Sequence, residues 1–178
     1  MDSIPDYYMN DNIRLLSAEN PTPFLKSVDV INYGLGIRYV SKVYGGWMKG
    51  SFDFSVDGKD YMLWFPKVSL NGKAASSSGW VNEIHDGGKT IIERAPEQTN
   101  VNDYRLNNRI RLVFIKQKKE PYYFYGVFLP EREQCTDHYH VFKKVADIAD
   151  FRGDHPEISF FNSETAKDKE EPAEKILS

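Results

Sequence analysis

The stretch RLVFIKQKKEPYYFYGVF, residues 111–128, joins two runs of apolar and aromatic residues through a short basic turn. Three tyrosines and two phenylalanines fall within residues 122–128, where both alternating sets of side chains are apolar or aromatic. Such a pattern indicates a strand that is buried on both faces. We therefore predict two strands, over 109–116 and 122–129, and expect most of these aromatic side chains to lie in a core.

The first of these strands alternates strictly. Ile110, Leu112 and Phe114 are expected on one face, and the other face begins with two arginines. The cations that cannot all be buried are candidates for contacts with phosphates. They are Arg109 and Arg111 in the strand and Lys116, Lys118 and Lys119 at the turn. Gly126 in the second strand predicts a bulge or the close approach of another group.

Two further hairpins are predicted on the N-terminal side. SFDFSVDGKDYMLWF, residues 51–65, places Asp57-Gly58 between alternating apolar runs, which is typical of a two-residue type I′ turn. WVNEIHDGGKTIIE, residues 80–93, repeats the pattern around a Gly-rich loop. PEISFFN, residues 156–162, is predicted to be a last strand.

Helices are expected near both ends. PTPFLKSVDVINYGLG, residues 21–36, has a proline in its first turn and Gly34 at its exit. TDHYHVFKKVADIADF, residues 136–151, has Val141, Val145 and Ile148 in a helical stripe. The fold class predicted is therefore α+β, a curved antiparallel sheet or small β-barrel with flanking helices.

The chain of 178 residues is predicted to form one domain over 21–162, with a leader at 1–20 and a charged tail or linker at 163–178. A single cysteine excludes an internal disulfide and favours a reducing cytoplasm. The first residues lack the apolar segment of a secretory signal, and no apolar run is long enough to span a bilayer. We therefore expect a cytoplasmic protein with no membrane partner.

Charge is unevenly distributed around a net value of −3. Residues 37–73 carry six Lys/Arg and three Asp, a local charge of +3. Residues 89–119 carry eight Lys/Arg and three Asp/Glu, a local charge of +5, and residues 146–178 carry four against nine, a local charge of −5. A basic middle fits a surface that binds a polyanion, although unevenness of this size also arises by chance.

A nuclease site is one interpretation of Asp57-Gly58-Lys59. A metal-dependent nuclease needs carboxylates that converge on a divalent cation and a lysine near the attacking water. Asp53, Asp57 and Glu83 with Lys59 would supply these groups. The competing explanation is that Asp-Gly is simply what the hairpin turn requires.

Zinc and cofactor sites find little support in the sequence. His138 and His140 are two residues apart and would lie on different faces of the predicted helix. No Walker loop, dinucleotide-binding glycine motif or nucleophile elbow is present. We therefore predict no metal and no cofactor, and Cys135 is expected to be inert.

Two Gly-Trp junctions are the best candidates for recognition. Trp47 follows Gly46 with Lys49 beside it, and Trp80 follows Gly79. A tryptophan at such a rim can stack on an unpaired base, and Asn82, two residues after Trp80, can read a base edge from the same face. The alternative is that both tryptophans close the ends of a barrel.

Several segments together carry a family resemblance: WVNEI, GKTIIERAPE, RIRLVFIKQKKEPYYFYGVF and VFKKVAD. Over roughly residues 60–150 they resemble the PUA/SRA-like β-barrel modules attached to restriction and modification-dependent nucleases and their helicases. The shared features are a Trp-x-Asn strand, a charged strand, a short basic turn and a Tyr-x-Phe-type strand that ends in Gly-Val-Phe.

This resemblance implies a module that binds DNA and reads a modified base turned out into a pocket. It makes Trp47, Trp80, Asn82 and Tyr104 pocket candidates, and Arg105, Arg109 and Arg111 phosphate candidates. The expected partners are duplex DNA and a nuclease or helicase domain or subunit.

Three functions thus remain open from the sequence. The favoured one is a DNA-binding module of a restriction or defence system with no catalytic activity in this chain. A Mg-dependent nuclease and a protein–protein interaction domain are the alternatives. Binding to modified duplexes, with and without magnesium, distinguishes them.

Overall fold

The computed structural model describes residues 15–19, 21, 23–24, 51–56, 58–69, 79–96, 107–116, 121–150 and 158–162. These residues form ten strands and two single turns of 3-10 helix, at Asp86–Gly88 and Arg132–Gln134. The strands are β1 Leu15–Ser17, β2 Ser51–Val56, β3 Lys59–Trp64, β4 Val81–His85, β5 Thr90–Arg94, β6 Ile110–Ile115, β7 Tyr123–Pro130, β8 Tyr139–Ala146, β9 Ile148–Asp150 and β10 Ser159–Phe161.

Two open sheets contain all of these strands. Seven strands form the large sheet in the order β2-β3-β6-β7-β8-β5-β4, and three form the small sheet in the order β1-β9-β10. Every pair is antiparallel except β3 and β6, which run parallel. The predicted α+β fold is confirmed only in part. The antiparallel sheet is present except at the parallel pair β3 and β6, whereas the described residues contain no flanking α-helix.

The three predicted hairpins are confirmed. Strands β2 and β3 pair up to Val56 opposite Lys59, and Gly58 has a φ of +81°. Strands β4 and β5 pair from His85 opposite Thr90. The strands around the basic turn are β6 and β7, which lie within one residue of the predicted bounds.

The helix predicted over 136–151 is wrong for residues 139–150, which form β8 and β9. Strand β8 is bonded on both sides, to β5 and to β7, so ladder bonds and packing outweigh the local helical spacing. The helical stripe is divided accordingly: Val141 is buried and Val145 is 45% exposed. Only Asp147 separates the two strands, and there the chain passes from the large sheet to the small one.

The other predicted helix, over 21–36, lies mostly outside the described residues. Phe24, within the described part, forms an antiparallel bridge with Tyr122 and packs against Phe114 at 6.0 Å between ring centroids. The predicted last strand is confirmed as β10.

Two bulges interrupt the large sheet. In β7 the extra residue is Tyr125, because Val113 pairs with Gly126 and Phe114 with Phe124. In β8 the extra residue is Val145, because Val127 pairs with Ala146 and Phe128 with Lys144. Bulges of this kind bend a strand and increase its twist. The prediction of a bulge at Gly126 is therefore confirmed.

The large sheet has a core on each face. The first face packs against the small sheet through a cluster that includes Leu16, Leu63, Leu112, Phe114 and Ala149. The second face carries a smaller cluster: Met62, Trp64, Ile91, Val113, Ile115, Phe128 and Phe142. The small sheet covers the first face and leaves the second face uncovered by it.

Candidate nucleic-acid interface

A row of buried polar side chains crosses one end of the second face. Asn82 on β4 is paired with Glu93 on β5, and Glu93 is paired with His140 on β8. The three residues are 5%, 8% and 2% exposed. Direct partners in neighbouring strands point to the same face, so an amide, a carboxylate and an imidazole lie side by side.

The backbone of Asn82 is fixed by Ser69. The Asn82 carbonyl accepts a hydrogen bond from the Ser69 N–H at 2.7 Å, and the Asn82 N–H donates to Ser69 Oγ at 3.3 Å. Val68 adds a parallel bridge to Asn82. The side-chain Oδ1 of Asn82 is buried and accepts no hydrogen bond from the residues that the structure describes. A buried acceptor of this kind costs about 1–3 kcal/mol unless a ligand satisfies it.

Glu93 and His140 face each other at the middle of the row. His140 Nδ1 lies 3.8 Å from Glu93 Oε1, and the two side chains are 3% and 11% exposed. The imidazole ring stands edge-on to the Phe142 ring, with centroids 6.1 Å apart and planes at 86°. This packing fixes the position of the imidazole beside the carboxylate.

Arg111 lies buried in the centre of the same face. Its guanidinium carbon is 4.4 Å from the centroid of Phe142 and 5.6 Å from that of Trp64. Its Nη1 donates to Asn107 Oδ1 and to the Arg109 carbonyl, both at 3.3 Å. The sequence suggested a phosphate contact for Arg111. A side chain that is 5% exposed and stacked between aromatic rings is placed for packing.

Arg109 lies at the start of β6 and is partly exposed. Its Nε is 3.5 Å from Asp53 Oδ2, and its Nη1 is 3.6 Å from Asp60 Oδ1. Two carboxylates therefore compensate this charge, which lowers its value as a phosphate contact. Lys116 at the other end of the strand lies 5.0 Å from the Tyr122 ring centroid and remains a phosphate candidate.

The residues of the nuclease hypothesis are not brought together. Asp53 is on β2 and Glu83 on β4, the two edges of the large sheet. Asp53 is paired with Met62 and faces the second side, whereas Glu83 alternates with Asn82 and faces the first, where it contacts Arg94 at 2.9 Å. Lys59 is exposed at the start of β3, and Asp57 lies outside the described residues. Within the described ranges, no three His, Cys, Asp or Glu residues form a group that could hold a metal ion.

The loop between β4 and β5 carries a small ionic network. The Thr90 hydroxyl donates to Asp86 Oδ2 at 2.7 Å, and Lys143 Nζ donates to Thr90 Oγ1 at 3.0 Å. The Thr90 hydrogen bond, followed by the charge of Lys143, holds the pKa of Asp86 below its usual value of 3.8. Asp86 has a φ of +55°, so this side-chain network stabilises an uncommon backbone conformation.

A lysine is half-buried beyond Arg111. Lys144 Nζ lies 4.6 Å from the Tyr125 ring centroid and 5.6 Å from that of Phe128. Burial lowers the pKa of Lys144 and raises the pKa of Tyr125 from their ordinary values. Phe128 pairs with Arg111 on β6 and with Lys144 on β8, so the two cations lie in one row across the second face.

Trp80 immediately precedes β4 and is partly buried. Strand alternation places it on the same side as Asn82. The sequence suggested that Gly79 lets another group approach, and the neighbour is a ring of this chain: a Cβ on Gly79 would lie 3.1 Å from Pro96 Cγ. The remaining candidates, which are Trp47, Lys49, Tyr104, Arg105, Lys118 and Lys119, lie outside the described residues and stay predictions.

Glu93 and His140 were missed from the sequence although signals for both were present. Counting outward from the predicted loop places Glu93 opposite Asn82. His140 was assigned to a helix, where residues i and i+2 diverge, but in strand β8 a spacing of two keeps His140 and Phe142 on one face.

Comparison with known families bears directly on this arrangement. The family model described as SRA, the SET and RING associated domain, matches residues 11–151. The chain belongs to the SRA domain family. SRA domains are PUA-like modules that read modified bases in DNA, and the chain is a DNA-binding module of this class. The resemblance found in the sequence is thereby confirmed.

A solved structure shares the fold. It is that of the 5-hydroxymethylcytosine-specific restriction enzyme AbaSI, which superposes with a TM-score of 0.57 at 20% identity. The similarity covers 83% of this chain and 47% of the AbaSI chain, so this chain spans about half of that enzyme's length. No curated protein matches the sequence significantly.

No helix in the described parts of the chain is both long enough and apolar enough to cross a bilayer.

Proposed function

We propose that this SRA module recognises a 5-modified cytosine, turned out of duplex DNA, against the second face of its large sheet. The observation that carries the proposal is the pair Asn82 and Glu93, which are buried and directly opposed on β4 and β5. The relationship to a 5-hydroxymethylcytosine-specific enzyme makes 5-hydroxymethylcytosine the first modification to test.

The chemistry of the pair suits cytosine. The exocyclic amino group of cytosine is a donor, and its ring nitrogen and carbonyl on the Watson–Crick edge are acceptors. Glu93 offers carboxylate oxygens to the amino group, while the Asn82 amide offers both an acceptor and a donor. The amino group has two N–H bonds, so one can donate to Glu93 and the other to the Oδ1 of Asn82, which lacks a donor among the described residues.

Trp80 is proposed to stack on the flipped base, because strand alternation places it beside Asn82. Trp47 and Tyr104 are proposed as further parts of the pocket. Phosphate contacts are assigned to Lys49, Arg105, Lys116, Lys118 and Lys119.

The place of the module in its system is also proposed. A restriction enzyme shares the fold over 47% of its chain. We infer that this chain supplies recognition, in the cytoplasm, to a nuclease or helicase domain or subunit. Catalysis by Asp53, Asp57, Lys59 and Glu83 is not proposed, because Asp53 and Glu83 lie on opposite faces and at opposite edges of the sheet.

The test compares three duplexes of one sequence that carry cytosine, 5-methylcytosine or 5-hydroxymethylcytosine at one position. Binding is measured by fluorescence anisotropy at two salt concentrations, since phosphate contacts alone give salt-dependent binding without selectivity. The wild type is expected to prefer a modified duplex at both concentrations. Equal affinities for all three duplexes would refute the proposal.

The β4–β5 hairpin offers a matched pair of variants. Glu93→Gln is expected to weaken binding to the preferred duplex about tenfold or more, as the loss of one charge-assisted hydrogen bond requires. Glu83→Gln makes the same chemical change on the opposite face of the same hairpin and is expected to leave binding within about twofold. Equal effects of the two substitutions on binding would show that Glu93 is not part of the site.

A further inference from the structure

We propose that His140 is a positioning residue for base recognition, which orients the Glu93 carboxylate toward the amino group of the target base. The inference rests on the proposed function and deepens it. His140 touches Glu93 and is not assigned a contact with the base.

Burial requires the carboxylate to have a partner. Glu93 is 8% exposed, and burying a carboxylate is costly unless it is paired or hydrogen-bonded. The group directly opposite is the His140 imidazole, with Nδ1 3.8 Å from Oε1.

The imidazole is itself held in place from the other side. Phe142 lies two residues along β8 on the same face, and its ring contacts the His140 ring edge-on. The opposite contact of Phe142 is the Arg111 guanidinium, 4.4 Å from the ring centroid. His140 therefore lies between the aromatic residues of the second face and the polar pair Glu93 and Asn82. The neighbours follow in the order Arg111, Phe142, His140, Glu93 and Asn82.

A distance of 3.8 Å is longer than a hydrogen bond, but it places Nδ1 and Oε1 next to each other inside the fold. This contact sets the orientation in which the carboxylate meets the base. A carboxylate fixed in this way discriminates for an amino group and against a carbonyl oxygen at the same position of the base.

The experiment uses two duplexes that differ only at that position of the base. One carries 5-hydroxymethylcytosine and the other 5-hydroxymethyluracil, which has a carbonyl oxygen in place of the amino group. The measured quantity for each variant is the dissociation constant for the 5-hydroxymethyluracil duplex divided by that for the 5-hydroxymethylcytosine duplex. His140→Gln is expected to lower this ratio at least tenfold, mainly by weakening binding to the cytosine duplex.

Two further variants separate positioning from folding. In His140→Asn the amide nitrogen falls near the position of Nδ1, so this variant is expected to retain more selectivity than His140→Gln. Adding His140→Gln to Glu93→Gln is expected to cost no further affinity, because the group that His140 positions is already gone. His138→Asn is the control for a histidine change immediately before the same strand. Thermal unfolding of each variant identifies the temperature at which all are folded.

Several results would overturn the inference. They are an equal loss of affinity for both duplexes in His140→Gln, full additivity with Glu93→Gln, or unchanged selectivity in a folded His140→Gln variant. A wild type that prefers no modified duplex refutes the proposed function itself. A wild type that prefers one while His140 variants keep their amino-group selectivity refutes only the role of His140.

Discussion

The Lys144 side chain lies in the space that a Cβ atom on Gly126 would occupy. That atom would be 2.8 Å from Lys144 Cε and 3.2 Å from the Ala146 carbonyl oxygen, and Gly126 has a φ of +141°. Only glycine adopts this backbone conformation without strain. The bulge in β7, the stacking of Lys144 on Tyr125 and the missing side chain at position 126 therefore form one structural unit.

Gly126→Ala is accordingly expected to destabilise the fold by about 2–4 kcal/mol, from backbone strain together with overpacking. Urea unfolding followed by tryptophan fluorescence measures this. Adding Lys144→Ala to Gly126→Ala is expected to recover only part of the lost free energy of unfolding, because the contact with the Ala146 oxygen and the positive φ remain. Gly58→Ala is the control, since it has a positive φ but no atom within 4 Å. A smaller loss in Gly126→Ala than in this control would contradict the packing argument.

Arg111→Lys is expected to lower the free energy of unfolding by about 1–2 kcal/mol, because an ammonium cannot stack on Phe142 and Trp64 as a planar guanidinium does. Arg94→Lys makes the same change in an exposed ion pair and is expected to cost less than about 1 kcal/mol. Denaturant titration of both variants provides the comparison. Equal costs would show that the aromatic stacking of Arg111 contributes nothing.

The carboxyl of Asp86 is expected to titrate below pH 3.8, as measured by the NMR shift of its side-chain carbon. A pKa that is lower in the folded than in the unfolded state contributes stability above pH 3.8, and this contribution is lost as the pH falls through the folded pKa. Thr90→Val removes the first cause of the shift and is expected to raise the pKa of Asp86 towards 3.8. Thr136→Val, at an exposed site, should leave it unchanged.

Trp80→Ala is expected to weaken binding to the preferred duplex about tenfold or more, which corresponds to the roughly 1–3 kcal/mol of a base-stacking contact. Phe114→Ala is the contrasting variant. Phe114 is fully buried between the two sheets, and its loss should lower stability by about 3–5 kcal/mol while the folded protein keeps its affinity. Fluorescence anisotropy, at a temperature where both variants are folded, measures the DNA affinity of each and separates a loss of binding from a loss of stability. If both change stability alone, Trp80 is not part of the pocket.

The sequence predicted what depends on neighbours along the chain. Hairpins such as Val56–Lys59 are determined by turn chemistry and alternation, and the division of β6 into two faces followed from the same period. The parallel pairing of β3 with β6 could not be predicted, because it depends on a contact between strands that 45 residues separate. Residues 139–150 were mistaken for a helix because their spacing fits both periods and only the partners β5 and β7 decide between them.

The same limit applied to the candidate site: relationships within one strand could be predicted, and contacts between distant strands could not. Asn82 was identified from its spacing to Trp80, within one strand. Arg111 was expected at the surface because charged side chains seldom lie in a core, and the aromatic rings that accommodate it come from β3 and β8. The roles proposed for Glu93 and His140 depend on contacts that arise only when β4, β5 and β8 lie side by side in the sheet.

The parallel pairing of β3 and β6 has a consequence for how specificity can change. The chain between these neighbouring strands travels to the far edge of the sheet, forms the β4–β5 hairpin there and returns. That hairpin holds both Asn82 and Glu93, and among the described strands of the large sheet only β8 pairs with it. If the proposed function holds, exchanging the hairpin between related modules is expected to change the target base without rebuilding the core.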